Sequence, residues 1–146
     1  MTARRNLITD QLAASCYFRT SVPTGHRKAL VQITERCNLH CAHCFVSAGD
    51  YGDTMRTADI TGLLIPRLRQ CRVSRVTLTG GEPFAHPDIL EIVAAFREYG
   101  FGVGICSNAT IISDAQLEAV RQIGDVHLNK GVRDARCVRT LTGTRP

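Results

Sequence analysis

The sequence predicts an α/β domain built on a parallel sheet of about four strands, a fragment of a βα barrel. Three observations predict it. Short apolar runs of high β-propensity alternate with longer stretches of helical period; each run ends in Gly, Ser, Asn or Cys; and no repeat beyond the βα unit itself, and no low-complexity tract, interrupts the series. Strand, helix, strand, helix, strand, helix, strand is a run of right-handed βα units. A whole barrel takes about 250 residues. The chain has 146, so the barrel is expected to be partial.

Residues 1–28 have no clear period, and Pro23-Thr24-Gly25 punctuates them. An N-terminal arm is expected there, with a short helix near Leu7 to Ala14 and Cys16 as a passive thiol. The core domain is expected over 29–131 and a basic tail over 132–146. Strand one spans Ala29 to Thr34, with Leu30 and Val31 in an apolar run of the kind that parallel sheets bury on both faces. A loop rich in Gly, Ser and Asp runs from it to about Asp53, long enough for a functional role. Thr57 to Cys71 places Ile60, Leu63, Leu64, Leu68 and Cys71 near one face of a 3.6-residue period. Pro66 should kink that helix or displace its start, because an interior proline costs about 3 kcal/mol. Cys71 reads as a small core residue.

Val73 to Thr79 is strand two, ended by Gly80-Gly81. Pro83 and His86-Pro87-Asp88 start the next helix, with Pro87 where a missing N–H costs nothing and Asp88 favourable to the dipole. Ile89, Leu90, Ile92, Val93 and Phe96 form its apolar face, and Gly100 stops it. Phe101 to Cys106 is strand three, with Cys106 in the core. After Ser107-Asn108-Ala109-Thr110, Ser113 and Gln116 make a capping box for a third helix, with Leu117 and Val120 inward. Gly124 ends it, and Val126 to Leu128 is strand four. Each motif-bearing turn follows a strand, and in such sheets ligands gather at the carboxyl ends of the strands.

The first of those turns carries the chemistry. Cys37-Asn38-Leu39-His40-Cys41-Ala42-His43-Cys44 places three thiols in eight residues, spaced Cys-x₃-Cys-x₂-Cys. Closely packed soft ligands of this kind select zinc or an iron–sulfur cluster. A zinc site needs a fourth ligand, which His40 or His43 could supply. A cubane held by three thiolates leaves one iron open to a substrate or cofactor.

With Gly80-Gly81-Glu82-Pro83 after strand two, the spacing resembles the radical S-adenosylmethionine (radical SAM) enzymes over residues 29–131. The resemblance implies the N-terminal part, truncated, of that family's TIM-barrel-like core. Cys37, Cys41 and Cys44 would hold three irons of a [4Fe–4S] cluster, with the fourth iron chelated by S-adenosylmethionine. Reductive cleavage would then give methionine and a 5′-deoxyadenosyl radical that abstracts hydrogen from a substrate. Gly80 and Gly81 would let backbone approach the methionine moiety, Glu82 would accept from its ammonium, and Pro83 would stiffen the exit. By the same resemblance His43 would pack near adenine and Asn108 would reach ribose or carboxylate. Their bland readings are a solvent-facing loop histidine and a turn residue. An electron donor of flavodoxin or ferredoxin type is implied, and a peptide substrate is a family-level expectation.

The sequence departs from the family's pattern after strand three. A Ser-x-Asp-Gly is expected after strand four, where Leu128-Asn129-Lys130-Gly131 stands. Asp134 to Gly143 only faintly resembles the segment that follows in the family. Strands five and six, and auxiliary-cluster cysteines, are missing from the pattern, and Cys137 is unassigned. A second chain could complete the barrel. The alternatives are a non-catalytic iron–sulfur-binding remnant, half of a split enzyme, or a zinc-binding structural module.

Composition narrows the rest. The net charge of +5 divides into +4 over residues 1–28, −3 over 29–126 and +4 over 127–146. Basic ends without interleaved aromatics read as solvated arms, so no nucleic-acid partner is expected. The seven cysteines are an odd count, and Arg4 and Arg5 lead into mixed polar residues, unlike a signal peptide. A reducing cytoplasm, in which clustered cysteines mean metal, is the expected compartment. No stretch approaches the roughly 20 apolar residues of a membrane span.

Overall fold

β-Branched runs and glycine-rich stops set down four strands, β1 (Arg27–Thr34), β2 (Val73–Gly80), β3 (Gly102–Ser107) and β4 (Val126–Lys130), in one parallel sheet of order β1-β2-β3-β4. The structure is a computed structural model that describes residues 22–42, 44, 46–124 and 126–130. Among the expectations, the helix near Leu7 to Ala14, the basic tail, Cys16, Cys137 and His43 lie outside the described residues. β1 starts at Arg27, inside the span expected to be arm.

The register aligns apolar residues in rows across the sheet. Ala29 pairs with Val76, Val76 with Val103 and Val103 with Val126; the next row is Val31, Leu78, Ile105 and Leu128. Residues two apart share a face, so both rows face the same side. There they pack with Ile60, Ile65, Ile89, Ile92, Val93, Phe96 and Val120 in one core. The expectation that β1 is buried on both faces is corrected, since Leu30 is 49% exposed. The second face carries Leu30, Thr77 and Gly104, paired in another row. Thr77 and Gly104 are small or polar there, and Leu30 is an exposed apolar residue.

The connections are helical. Between β1 and β2, α1 (Thr57–Asp59) runs through a π-helical turn (Ile60–Leu64) into α2 (Ile65–Gln70). The π turn answers Pro66. Proline has no N–H for the carbonyl of Gly62, four residues back, and its ring crowds that carbonyl. One widened turn, in which the Ile65 N–H reaches the Ile60 carbonyl, accommodates both. Widening also rotates the apolar stripe. Ile60 and Ile65 are fully buried, Leu63 is 66% exposed, and Cys71 is exposed rather than in the core.

α3 (Ile89–Glu98) begins after Pro87, and Asp88 is its N-cap without a side-chain cap bond. The Thr57 hydroxyl instead donates to Asp88 Oδ2 at 2.6 Å, joining the starts of α1 and α3. Ile89, Ile92, Val93 and Phe96 are buried as the period predicts, while Leu90 is only partly so. Phe101 precedes β3 rather than opening it and meets Phe96 edge-to-face, with ring centres 5.5 Å apart. α4 (Asp114–Ile123) has the expected capping box, with Ser113 Oγ accepting from Gln116 N and Gln116 Oε1 accepting from Ser113 N. Val120 is its buried residue and Leu117 is half-buried, while Cys106 is only partly buried.

Candidate functional site

The carboxyl ends of β1, β2 and β3 meet on one rim, and backbone bonds hold the cysteine loop there by both feet. Cys37 N donates to Gly49 O at 2.7 Å, Glu35 N to Asp53 O at 2.8 Å and Met55 N to Ile33 O at 2.9 Å. The outgoing and returning arms of the loop are thus held side by side. His86, 2% exposed, fixes the returning foot from below: its Nε2 lies 2.8 Å from Met55 O, and its Nδ1 accepts from Asp88 N. The carbonyl partner assigns the proton to Nε2. His40 Nε2 and Asp50 Oδ2, 3.5 Å apart, form an exposed pair across the loop.

Gly80 and Gly81 carry β2 directly against this loop. Gly81 N donates to Thr34 O at 2.9 Å and Glu82 N to Arg36 O at 2.8 Å. A Cβ on Gly81 would fall on the carbonyl oxygen of Arg36, 2.6 Å from its carbonyl carbon and 2.9 Å from Ala48 Cβ. Gly80, at φ +143°, has no room against the Thr34 carbonyl. The sequence suggests a close approach of backbone to a bound methionine; the approach seen at both glycines is to the chain's own β1 extension.

Glu82 is fully buried. Its Oε1 accepts from Phe84 N at 3.0 Å and Ser107 Oγ at 2.8 Å, and its Oε2 accepts from Asn108 N at 2.7 Å. One carboxylate therefore ties the end of β2 to the end of β3. Burial raises its pKa, against the lowering effect of those three donors. Ser107 Oγ also accepts from Ala109 N, at φ +59°.

Asn108 extends the link to the cysteines. Its Nδ2 donates to Asn38 Oδ1 at 3.0 Å and lies 3.8 Å from Cys37 Sγ, while its Oδ1 accepts from Thr110 N and Thr110 Oγ1. Asn38 Nδ2 donates to Thr110 Oγ1 at 2.8 Å. Cys37 Sγ also receives the Leu39 N–H and Cys44 Sγ the Ala48 N–H, each at 3.4 Å. Burial pushes the Cys37 thiol up; the Leu39 N–H opposes this, while Glu82, Cys41 and Cys44 push it further up. Burial and Cys44 raise Cys41.

The donor set fits a cluster. Three thiols stand on one loop, and N–H groups pointing at two of their sulfurs favour thiolate ligands, against the burial and mutual charge that raise Cys37 and Cys41. Among the described residues, no three of His, Cys, Asp and Glu are placed to hold a single metal ion. Of the residues singled out in the sequence, Cys37, Cys41, Cys44, Gly80 to Pro83 and Asn108 come together on the rim. Ser107, Asn38, Thr110 and His86 were not singled out as site residues. Their partners lie about 25 to 72 residues away in sequence, a spacing that no local pattern reveals.

The family model of the radical SAM superfamily matches residues 31–136. PqqA peptide cyclase of Gluconobacter oxydans is 26% identical over 116 residues, covering 78% of this chain and 32% of that protein. GTP 3′,8-cyclase of Limosilactobacillus fermentum is 30% identical over 109 residues, 71% of this chain and 32% of its own length. The fold is shared with the crystal structure of Streptococcus suis SuiB bound to S-adenosylmethionine, at TM-score 0.67 and 21% identity over 83% of this chain and 27% of that one. The chain thus spans about a third of the length of these relatives. With a family match over most of the chain and the cysteine loop and Gly-Gly-Glu-Pro turn side by side on the rim, the chain belongs to the radical SAM superfamily.

Proposed function

We propose that this chain is the cluster- and cofactor-holding part of a radical SAM enzyme. The observation that carries the reading is the cross-linking of three strand ends into one rim, Arg36 to Glu82 and Glu82 to Asn108, beside Cys37. In this reading Cys37, Cys41 and Cys44 each bind one iron of a [4Fe–4S] cluster, and the fourth iron stays open for S-adenosylmethionine. Gly80, Gly81, Glu82, Pro83, His43 and Asn108 would hold that cofactor. Bound together, the two groups supply reductive cleavage of the sulfonium bond and the 5′-deoxyadenosyl radical that removes hydrogen from a substrate. The protein's share is binding, orientation and exclusion of water.

A peptide is our proposed substrate class, on the match to PqqA peptide cyclase over 78% of this chain. The electron donor would be a flavodoxin or ferredoxin, and a reducing cytoplasm would keep the thiols free to ligate. Among the described residues the sheet has four strands, half of a whole barrel. A second reading, favoured by the contacts of Gly80, Gly81 and Glu82 with the chain itself, is a non-catalytic iron–sulfur-binding remnant.

Electron paramagnetic resonance of the anaerobically reconstituted, reduced chain, beside an iron and zinc count, separates these. Bound iron with a signal that shifts on adding S-adenosylmethionine supports the enzyme reading. Bound iron with an unmoved signal supports the second. Zinc without iron overturns both.

A further inference from the structure

We propose that Asn108 is a positioning residue acting on the cluster through the Cys37 thiolate, and that it raises the cluster's reduction potential. The inference rests on the functional reading above and goes beyond it, because it gives Asn108 a role that does not pass through S-adenosylmethionine.

The amide's orientation is fixed by its neighbours. Asn108 Oδ1 accepts from both Thr110 N, at 2.9 Å, and Thr110 Oγ1, at 2.7 Å. A flipped amide would put N–H groups against the Thr110 N–H donor, so the nitrogen must face the other way. One hydrogen of Nδ2 goes to Asn38 Oδ1 at 3.0 Å, and the other faces Cys37 Sγ at 3.8 Å. Thr110 Oγ1 gives its only proton to Asn108 and accepts from Asn38 Nδ2 at 2.8 Å. Asn38, Asn108 and Thr110 thus form a closed ring in which each described donor has a compatible acceptor. The ring's anchor is firm, because Asn108 N is bonded to the buried Glu82 carboxylate.

The consequence concerns charge. A reduced cluster carries one more negative charge than an oxidised one, shared with its thiolates. N–H dipoles aimed at a ligand sulfur stabilise that extra charge and raise the potential. Cys37 Sγ has two such donors among the described residues, the Leu39 N–H at 3.4 Å and the Asn108 amide. The Leu39 bond is backbone and persists in any variant that folds. The Asn108 bond belongs to a side chain and can be removed alone. At 3.8 Å it is long while the sulfur is a neutral thiol, and a thiolate acceptor shortens such contacts.

The test is a redox titration of the reconstituted full chain, followed by the reduced-cluster signal, with iron counted in every sample. Asn108→Ala should shift the midpoint to more negative potential at unchanged iron content. Asn108→Asp, which turns a carboxylate oxygen towards the sulfur, should shift it further the same way. Thr110→Val leaves Asn108 and Cys37 in place but frees the amide to turn, and should give a smaller shift of the same sign. It also decides the matter if the Asn108 variants do not fold. Midpoints that stay at the wild-type value while iron is retained would overturn the inference and leave the functional reading standing. A wild-type chain that binds no iron would overturn the functional reading, and this inference with it.

Discussion

Replacing Gly81 by alanine separates two reasons for a glycine at the rim. If the position serves only to admit a bound cofactor, the added methyl leaves the cofactor-free fold untouched. If it serves the contact between β2 and the cysteine loop, the fold itself suffers. The new Cβ would stand 2.6 Å from the Arg36 carbonyl carbon and 2.9 Å from Ala48 Cβ, where carbon pairs prefer about 3.5–4.0 Å. The loop must therefore retreat by about 1 Å, since the obstacle is mainly backbone. Such overpacking typically costs about 1–3 kcal/mol. Stretching the Glu82 N to Arg36 O bond adds about 1 kcal/mol. A total of about 2–4 kcal/mol corresponds to a fall in Tm of roughly 5–15 °C for a chain of this size. Thermal unfolding of the iron-free protein, followed by circular dichroism, reads it directly. An unchanged Tm in Gly81→Ala, with weakened cofactor binding, would refute the packing argument.

Glu82 gives the fold a pH dependence of stated sign. Its folded pKa is raised above the ordinary 4.5 by burial, so the folded state holds its proton more tightly than the unfolded one. Its contribution to stability is fully present below the unfolded value and is lost as pH rises through the folded pKa. Urea midpoints between pH 4 and 7 should show this fall, and Glu82→Gln should flatten it. The raised Cys37 and Cys41 thiols must lose protons to ligate; iron incorporation should therefore be faster and more complete at pH 8.5 than at pH 6.5, and equal loading at both would count against thiolate ligation. β1 and β4 are the outer strands of the described sheet, and unpaired edges favour pairing between chains. Sedimentation at micromolar concentration should show self-association, and a sharp monomer would contradict it.

The sequence made the framework readable wherever a local rule decides. Val76, Val103 and Val126 sit in runs whose β-propensity and glycine stops need no tertiary information, and Ser113 with Gln116 is a capping pair legible from spacing alone. The strand ends, and with them the rim, followed. Legibility ended where a remote residue settles the outcome. Pro66 announced a disturbance, but whether the helix would kink, start late or widen depended on which face the sheet would take; the π turn turned Leu63 and Cys71 outward and Ile65 inward. Leu30 looked like a buried residue because an apolar run alone does not say which face the helices will cover. Glu82 looked like a ligand-facing acid, and its three donors come from its own turn and the end of β3.

These remote contacts make the rim a coupled unit. The feet of the cysteine loop rest on β1, Gly81 rests on the loop, Glu82 joins β2 to β3, and the Asn108 ring returns to Cys37. Loosening any one member removes a support from the next, so perturbations here should not add independently. The coupling runs in both directions. A cluster bound by the folded rim and not by the unfolded chain stabilises every member at once, by RT ln(1 + [L]/Kd). A Gly81→Ala chain should therefore lose more stability, relative to wild type in the same state, when loaded with iron than when iron-free, because the displaced loop also weakens the cluster site, whereas a change far from the rim, such as Ser113→Ala at the start of α4, should lose the same amount with or without iron. The difference between those two responses measures how far the cluster site and the β2 turn are one structure.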